Sequence, residues 1–541
     1  MKKLLVLSFF SLACFTYAQK SPKLVVGVVV DQMRYDYLYR FQDKFQEDGF
    51  KRLMKEGANC RNTHYNYVPT YTAPGHASIY TGATPNSHGV VGNSWYNRTL
   101  GKNVSNVGDS TVKNLLTPSS SGRSPKNLKL QTLTDALKLS NAKAKVYSVS
   151  IKDRGAILPG GKSADAAFWF DYAKGDFTSS DYYMEELPEW LQNFNASSRV
   201  EDYMNGSWNT FYPIEEYTES RWDTAYYESA FPGNESASFP HRLDVLKGSN
   251  RYNYFTMTPF ANAYLADLAM QTIQHEKLGN DEVTDFLALS FSSTDIIGHA
   301  FGPYSKEIED CYLRLDMDIA RLLNFLDKQI GEGEYTLFLT ADHAVAPIPQ
   351  YLKEKKLDAG FFYENVFLKD LSEFSKQTFG EDLILTETNN NIYLNRERIE
   401  ALDLDEDKVA LKFAKKIKKN TAIHDVFTAK QLMYDVSVGT EIQQKVARGY
   451  DYHRSGDLIY VLQPNYLAKH SESSSKTGTT HGSPYTYDSH VPLLFFGYGI
   501  DSLEYLNKVE ITDVCPTICT LLKLQFPNGN QGNVIDKVLK K

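Results

Sequence analysis

The sequence predicts an α/β fold, with a mostly parallel sheet covered by helices on both sides. Three observations predict it. Short, nearly continuous apolar runs recur along the chain, each ends in polar residues able to do chemistry, and helical patterns lie between them. Strands that do not alternate fit a sheet buried on both faces. Strand and helix in alternation build a parallel sheet, whose ligands gather outside the carboxyl ends of its strands.

The elements follow in chain order. Residues 24–30, Leu-Val-Val-Gly-Val-Val-Val, form a strand ending at Asp31, and 37–56 carry a helical pattern. A helix over 133–140 precedes a strand over 144–151 that ends at Lys152. A helix over 261–275 precedes the strand 286–291, which ends in Ser292 to Asp295. A helix over 308–330 leads to the strand 335–340, which ends at Asp342-His343. The strand 491–496 ends in a Gly-containing turn, and 513–524 close the pattern with a helix.

Two stretches break the rhythm. Residues from about 156 to 258, rich in Ser, Asn, Gly and aromatics, read as a long insertion that caps a cleft. Residues from about 360 to 460 read as a small α+β subdomain, with strands at 391–395 and 458–462 and a basic amphipathic helix at 406–419. The run Lys415 to Lys419 is a solvated helix face.

Composition narrows the function classes. Of 541 residues, 42% are hydrophobic and 23% charged, which excludes a disordered chain. Lys and Arg number 58 against 66 Asp and Glu, so the basic footprint of a nucleic-acid binder is missing. Lys2 and Lys3, an apolar run over 4–15 and Thr16-Tyr17-Ala18 form a signal peptide over 1–18, too short for a membrane span. Its removal takes two lysines and shifts the formal charge from −8 to −10. Cys14 offers a lipoprotein alternative, but Ser11 stands where such boxes carry Leu or Val. The expectation is periplasmic or secreted export without a stable membrane anchor, and residues 19–541 form one catalytic domain carrying both insertions. Cys60, Cys311, Cys515 and Cys519 remain, read as structural thiols or one distant bridge.

The strongest constellation is Asp31, Asp295-Ile-Ile-Gly-His299, Asp342-His343 and His481 in Gly-Thr-Thr-His-Gly-Ser-Pro. Three carboxylates and three imidazoles suit zinc, and six ligands are too many for one tetrahedral ion but fit two. Two such ions are a standard clamp for phosphoryl transfer. Any one of these residues alone reads as a cap or surface group; recurrence at successive strand ends carries the argument. His76, His88 and His490 compete for the place of His481. Thr72, followed by Ala73-Pro74, reads as the N-cap of a helix running to about Thr81 and ended by Gly82. A hydroxyl there, beside a dication, is a candidate nucleophile, with Thr70, Ser78 and Thr81 as alternatives. Asn93 offers an amide donor, and Lys152 with Arg154 can hold phosphate oxygens.

In this order, and with Gly92-Asn93-Ser94-Trp95 and Lys152-Asp153-Arg154, the chain resembles the alkaline phosphatase superfamily and its phosphate-irrepressible zinc alkaline phosphatases, the PafA type. The resemblance implies a three-layer α/β/α sandwich and two zinc ions per chain. Asp295, His299 and His481 would hold one. Asp31, Asp342 and His343 would hold the other, with Thr72 approaching it as nucleophile. Asn93, Lys152 and Arg154 would bind the phosphoryl group. The implied substrates are small phosphate monoesters, hydrolysed through a phosphothreonine intermediate. A phosphodiesterase of the same superfamily shares ligands and threonine, but Lys152 and Arg154 favour a dianionic monoester. A sulfatase would want Cys or Ser as nucleophile and Arg where His76 stands. A non-catalytic exported binding protein has no need for the full set.

Overall fold

The computed structural model describes residues 21–434 and 439–540, so the signal peptide lies outside the described residues. A nine-stranded sheet forms the centre. Five strands run parallel in the spatial order Tyr335–Thr340, Leu24–Val30, Asp285–Phe291, Val146–Ser150 and Ala166–Asp171. Leu24–Val30 is fully buried along its length, and each valine side chain removed from water contributes about 1.5–3 kcal/mol. The helices Phe260–Glu276, Lys306–Leu326 and Val514–Leu521 lie close to the expected ranges, and Leu133–Ser140 matches in full.

Three expectations change. The last strand, Leu493–Gly497, pairs antiparallel with Tyr335–Thr340, so its carboxyl end points away from the site. It also starts after Pro492, which has no N–H to give the ladder; His490–Val491 pairs instead with Thr63–His64. The pattern over 37–56 is broken into Tyr37–Arg40, a short turn and Phe50–Glu56. The cause is tertiary: Asp316 accepts the backbone N–H groups of Gln46 and Phe50 and starts a new helix there. The segment from about 156 is not all insertion, because the helix Asp153–Gly160 and the strands Ala166–Asp171 and Asp176–Thr178 belong to the central layers. Their apolar faces needed that sheet, and only the stretch beyond it leaves the layers.

That later stretch packs beside the long helix. Trp208 is buried and donates its indole N–H to Asp310, and Tyr217 donates its hydroxyl to the same carboxylate. Residues 384–462 build a second sheet of four antiparallel strands, in the order Ile384–Thr388, Asn391–Leu394, Leu458–Leu462 and Ile423–Thr428. The helices Glu364–Phe379 and Glu406–Ile417 cover it, and Leu371, Ile392, Phe413 and Tyr460 share its core. Cys60, Cys311, Cys515 and Cys519 are all buried free thiols.

Candidate active site

Leu24–Val30 lies between Asp285–Phe291 and Tyr335–Thr340 in the sheet. Three neighbouring parallel strands therefore deliver their carboxyl ends to one spot. Asp31 follows the first, Asp342 and His343 follow the third, and the helix Ser293–Phe301 leaves the second with Asp295 and His299 one turn apart. His481 arrives from a distant loop, and its ring stacks on His343 with centroids 3.5 Å apart.

The six residues separate into two groups, Asp295/His299/His481 and Asp31/Asp342/His343, each with its ligand atoms within 4.8 Å of one another. His299 Nε2 and His481 Nε2 lie 3.2 and 3.6 Å from Asp295 Oδ1. His343 Nε2 lies 3.4 Å from Asp31 Oδ1 and 3.6 Å from Asp342 Oδ2. Donors around a tetrahedral ion with bonds of about 2.0–2.1 Å stand about 3.3 Å apart. Each Nδ1 is engaged outside the site, which turns Nε2 toward it: His299 bonds Thr479 O, His481 bonds Thr70 O and His343 bonds Ala344 O, all at 2.8–2.9 Å. Such outer bonds fix the tautomer that binds metal. Asp31 Oδ1 and Asp342 Oδ2 are buried with no hydrogen-bond partner, a costly arrangement that a cation relieves. The residues fit two small cations.

The electrostatics agree. Burial, then the neighbouring Asp295, pushes Asp31 up to about 6; burial and Asp31 raise Asp342 well above the carboxylate range. Burial and the facing imidazoles hold His343 far below its ordinary value and His481 at about 3, so both rings are neutral, the form able to bind a cation. Burial works against ionising Asp295, but His299 and Lys152 outweigh it and keep its carboxyl well below the usual range. Lys152 Nζ lies 2.7 Å from Asp31 Oδ2 and also binds Asp295 Oδ2, at the seam between the two groups.

Thr72 reaches the same seam, with Oγ1 3.4 Å from His343 Nε2. The cap assignment is off by one residue. Extended Tyr71 is the N-cap, Thr72 is the first residue of the helix Thr72–Thr81, and Gly82 ends it at φ 66°. Pro74 has no N–H and the N–H of Gly75 bonds Tyr71 O, so the Thr72 hydroxyl is not spent on capping, while the N–H of Ala73 is taken by Asn93 Oδ1 at 2.9 Å. That bond also leaves the Asn93 amide NH₂ as a donor. A Cβ on Gly75 would stand 2.2 Å from the Asp342 carbonyl oxygen, so only glycine lets this helix approach the strand end. The alternative hydroxyls are occupied: Thr70 bonds Ser483 O, Ser78 bonds His88, and Thr81 bonds Ala77 O. His76 is buried against Thr72 O and Ser290, and His490 stacks on Tyr35 and His64, so neither replaces His481.

Arg154 sits in the first turn of Asp153–Gly160 with its Nε unpartnered. With Lys152, Arg123 and Tyr172 it lines a cleft of about 500 Å³. One contributor is invisible in the sequence. Gln32 follows Asp31 at φ 69°, a left-handed conformation that is rare for a side-chain-bearing residue and marks functional sites. Its backbone N–H donates to Asp342 Oδ1 at 3.1 Å, and its side-chain amide donates to Asp295 Oδ1 at 2.6 Å. It ties one metal group to the other. A Cβ on Gly298 would lie 1.8 Å from Gln32 Oε1, which explains the glycine in Asp295-Ile-Ile-Gly-His299 and is the one sequence signal that Gln32 leaves.

Residues 25–484 match the family described as type I phosphodiesterase / nucleotide pyrophosphatase. The chain is 43% identical to a Myroides odoratus protein named calcium-transporting ATPase, over 98% of both chains. It is 41% identical to alkaline phosphatase PafA of Elizabethkingia meningoseptica, over 97% of this chain and 96% of that one. A crystal structure of wild-type alkaline phosphatase PafA superposes with TM-score 0.91 at 40% identity, covering 97% of this chain and all of that one. A structure of a PafA variant replaces one threonine, one asparagine, one lysine and one arginine. The first two stand 21 residues apart and the last two stand 2 apart, the separations of Thr72 from Asn93 and of Lys152 from Arg154.

Proposed function

The chain belongs to the type I phosphodiesterase / nucleotide pyrophosphatase family and, within it, to the PafA-type alkaline phosphatases; from that premise we propose a zinc-dependent hydrolysis of phosphate monoesters with Thr72 as nucleophile. The single observation that carries the reading is the Thr72 hydroxyl held uncapped at the seam of two carboxylate–imidazole groups, with Lys152 beside it.

The division of labour follows from the geometry. Asp295, His299 and His481 would hold one zinc, and Asp31, Asp342 and His343 the other; bound there, the ions supply Lewis-acid stabilisation of the nucleophile and of the departing oxygen. Thr72 Oγ1 bonds to phosphorus as the bond to the alcohol oxygen breaks, leaving phosphothreonine. Water then cleaves the Thr72–phosphorus bond and releases inorganic phosphate. Asn93, Lys152 and Arg154 bind the non-bridging oxygens. Most of the acceleration comes from positioning and charge stabilisation. Residues 1–18 carry the sequence features of an export signal, which supports a periplasmic or secreted location. No helix among the described residues is long and apolar enough to cross a membrane.

The family name keeps a diesterase reading in play, and Lys152 with Arg154 decide between the two. A monoester carries nearly two charges above a second pKa near ~6, and each charge-assisted bond is worth roughly 1.5–3 kcal/mol. Lys152→Ala and Arg154→Ala should each slow monoester hydrolysis roughly 10- to 150-fold, and diester hydrolysis much less. The measurement is kcat/KM on a matched monoester and diester, with ATP and a sulfate ester in parallel and metal content determined on the same samples. Equal losses on both esters would move the diesterase reading to first place. Calcium in place of about two zinc ions per chain would end the metal assignment.

A further inference from the structure

Two clefts flank the metal groups, and they differ in charge. The Lys152/Arg154 cleft holds three basic side chains, Arg123, Lys152 and Arg154, against two aspartates, Asp153 and Asp171. On the His481 side a cavity of about 220 Å³ lies between the loop 480–488 and the small sheet. Tyr71, directly before the nucleophile, forms one wall and meets the His481 ring edge-on with centroids 5.5 Å apart. Tyr460, Tyr466 and Tyr485 supply further aromatic surface, and Glu364 and Asp488 supply carboxyl groups. Asp488 is 1% exposed; Ser483 engages its Oδ2, while Oδ1 has no partner. Behind the wall, Glu387 accepts the Tyr460 hydroxyl at 3.1 Å. Among the described residues no lysine or arginine lines this cavity.

We propose that this cavity is the subsite for the leaving alcohol and that it selects phosphate monoesters of small alcohols carrying an ammonium group. The inference rests on the phosphomonoesterase reading above. Thr72 lies against His343, so the other group, Asp295/His299/His481, is the one left to the departing oxygen; the cavity begins at His481, and the alcohol exits toward it. Tyrosine faces attract quaternary and primary ammonium groups, and the Glu364 and Asp488 carboxyls in a lining without lysine or arginine favour the same charge. Burial, then Glu364, pushes Glu387 up to about 8, and burial takes Asp488 to about 7, a cost that an entering cation offsets. The volume falls below the roughly 300–1,000 Å³ of drug-sized ligand sites, which favours alcohols smaller than a drug-sized ligand. The phosphoryl group and the alcohol would thus be read by walls of opposite charge.

The test compares choline phosphate with 3,3-dimethylbutyl phosphate, its neutral carbon isostere, using p-nitrophenyl phosphate as reference. The proteins are the wild type, Glu364→Gln and Glu387→Gln, full chain and zinc-loaded. Expected is a wild-type kcat/KM ratio of about 10 or more in favour of the cation, reduced about threefold or more in either variant, with p-nitrophenyl phosphate turnover unchanged. A wild-type ratio near one, or a ratio that neither variant moves, overturns this inference alone. No turnover of p-nitrophenyl phosphate by the wild type overturns the phosphomonoesterase reading, and the inference with it.

Discussion

The nine-stranded sheet brings Asp31, Asp295 and Asp342 to the ends of neighbouring strands, whereas the four-stranded sheet over 384–462 turns its first hairpin at Asn389-Asn390. Both asparagines sit at positive φ, 54° and 62°, as a tight two-residue hairpin requires. The difference is one of topology. Parallel strands need crossovers, so their carboxyl ends collect along one edge and can pool side chains there. Antiparallel strands alternate direction, and their chemistry is scattered to both edges. The small sheet accordingly contributes a wall and a core of its own, while the large one contributes the candidate active site. Asn389 links them by donating its side-chain amide to Ser94 O, one residue beyond Asn93.

The largest effect is expected at Thr72. Thr72→Ala should lower monoester kcat/KM by more than about 10³-fold, the order expected when a nucleophile is removed from a site that still binds. Metal content should hold, and Thr72→Ser should keep much of the activity. Acid-quenched wild-type protein should carry phosphate on Thr72 by mass spectrometry; phosphate on Thr70 would show that another hydroxyl attacks.

Gly298 sharpens it next. Gly298→Ala places a methyl where Gln32 Oε1 lies, and should loosen metal binding by roughly 10- to 100-fold, the usual scale for losing an outer contact to a ligand. Gln32→Ala alone should loosen it similarly, and the double variant should match Gln32→Ala, because the clash and the bond share one cause. Additive losses, measured by competition with a zinc chelator, would separate Gly298 from Gln32.

The smallest effect on chemistry is expected in the small sheet. Phe413→Ala empties a buried position in its core and should cost about 3–5 kcal/mol of stability. Zinc content and kcat/KM on p-nitrophenyl phosphate should stay within about twofold in the folded fraction, the scatter expected for a distant, independent site. Loss of zinc in that variant would mean the small sheet holds the metal groups in place, and the separation drawn between the two regions would fail.

The sequence by itself determined the strand runs, most helices, and the residue types waiting at the strand ends. Those features are local: an apolar run or a helical period is written in consecutive residues, and Asp31, Asp295, His299, Asp342 and His343 are placed by the strands they follow. The tertiary structure decided the rest. It brought His481 rather than His490 to the site through Thr70 O and the stacking on His343, and it brought Asn93 to the N–H of Ala73 beside Thr72. It also set Gln32 between the two carboxylate–imidazole groups, turned Leu493–Gly497 antiparallel, and broke the pattern over 37–56 with Asp316. Each of these rests on a contact between residues tens to hundreds of positions apart, and only folding brings such partners within hydrogen-bonding or packing distance.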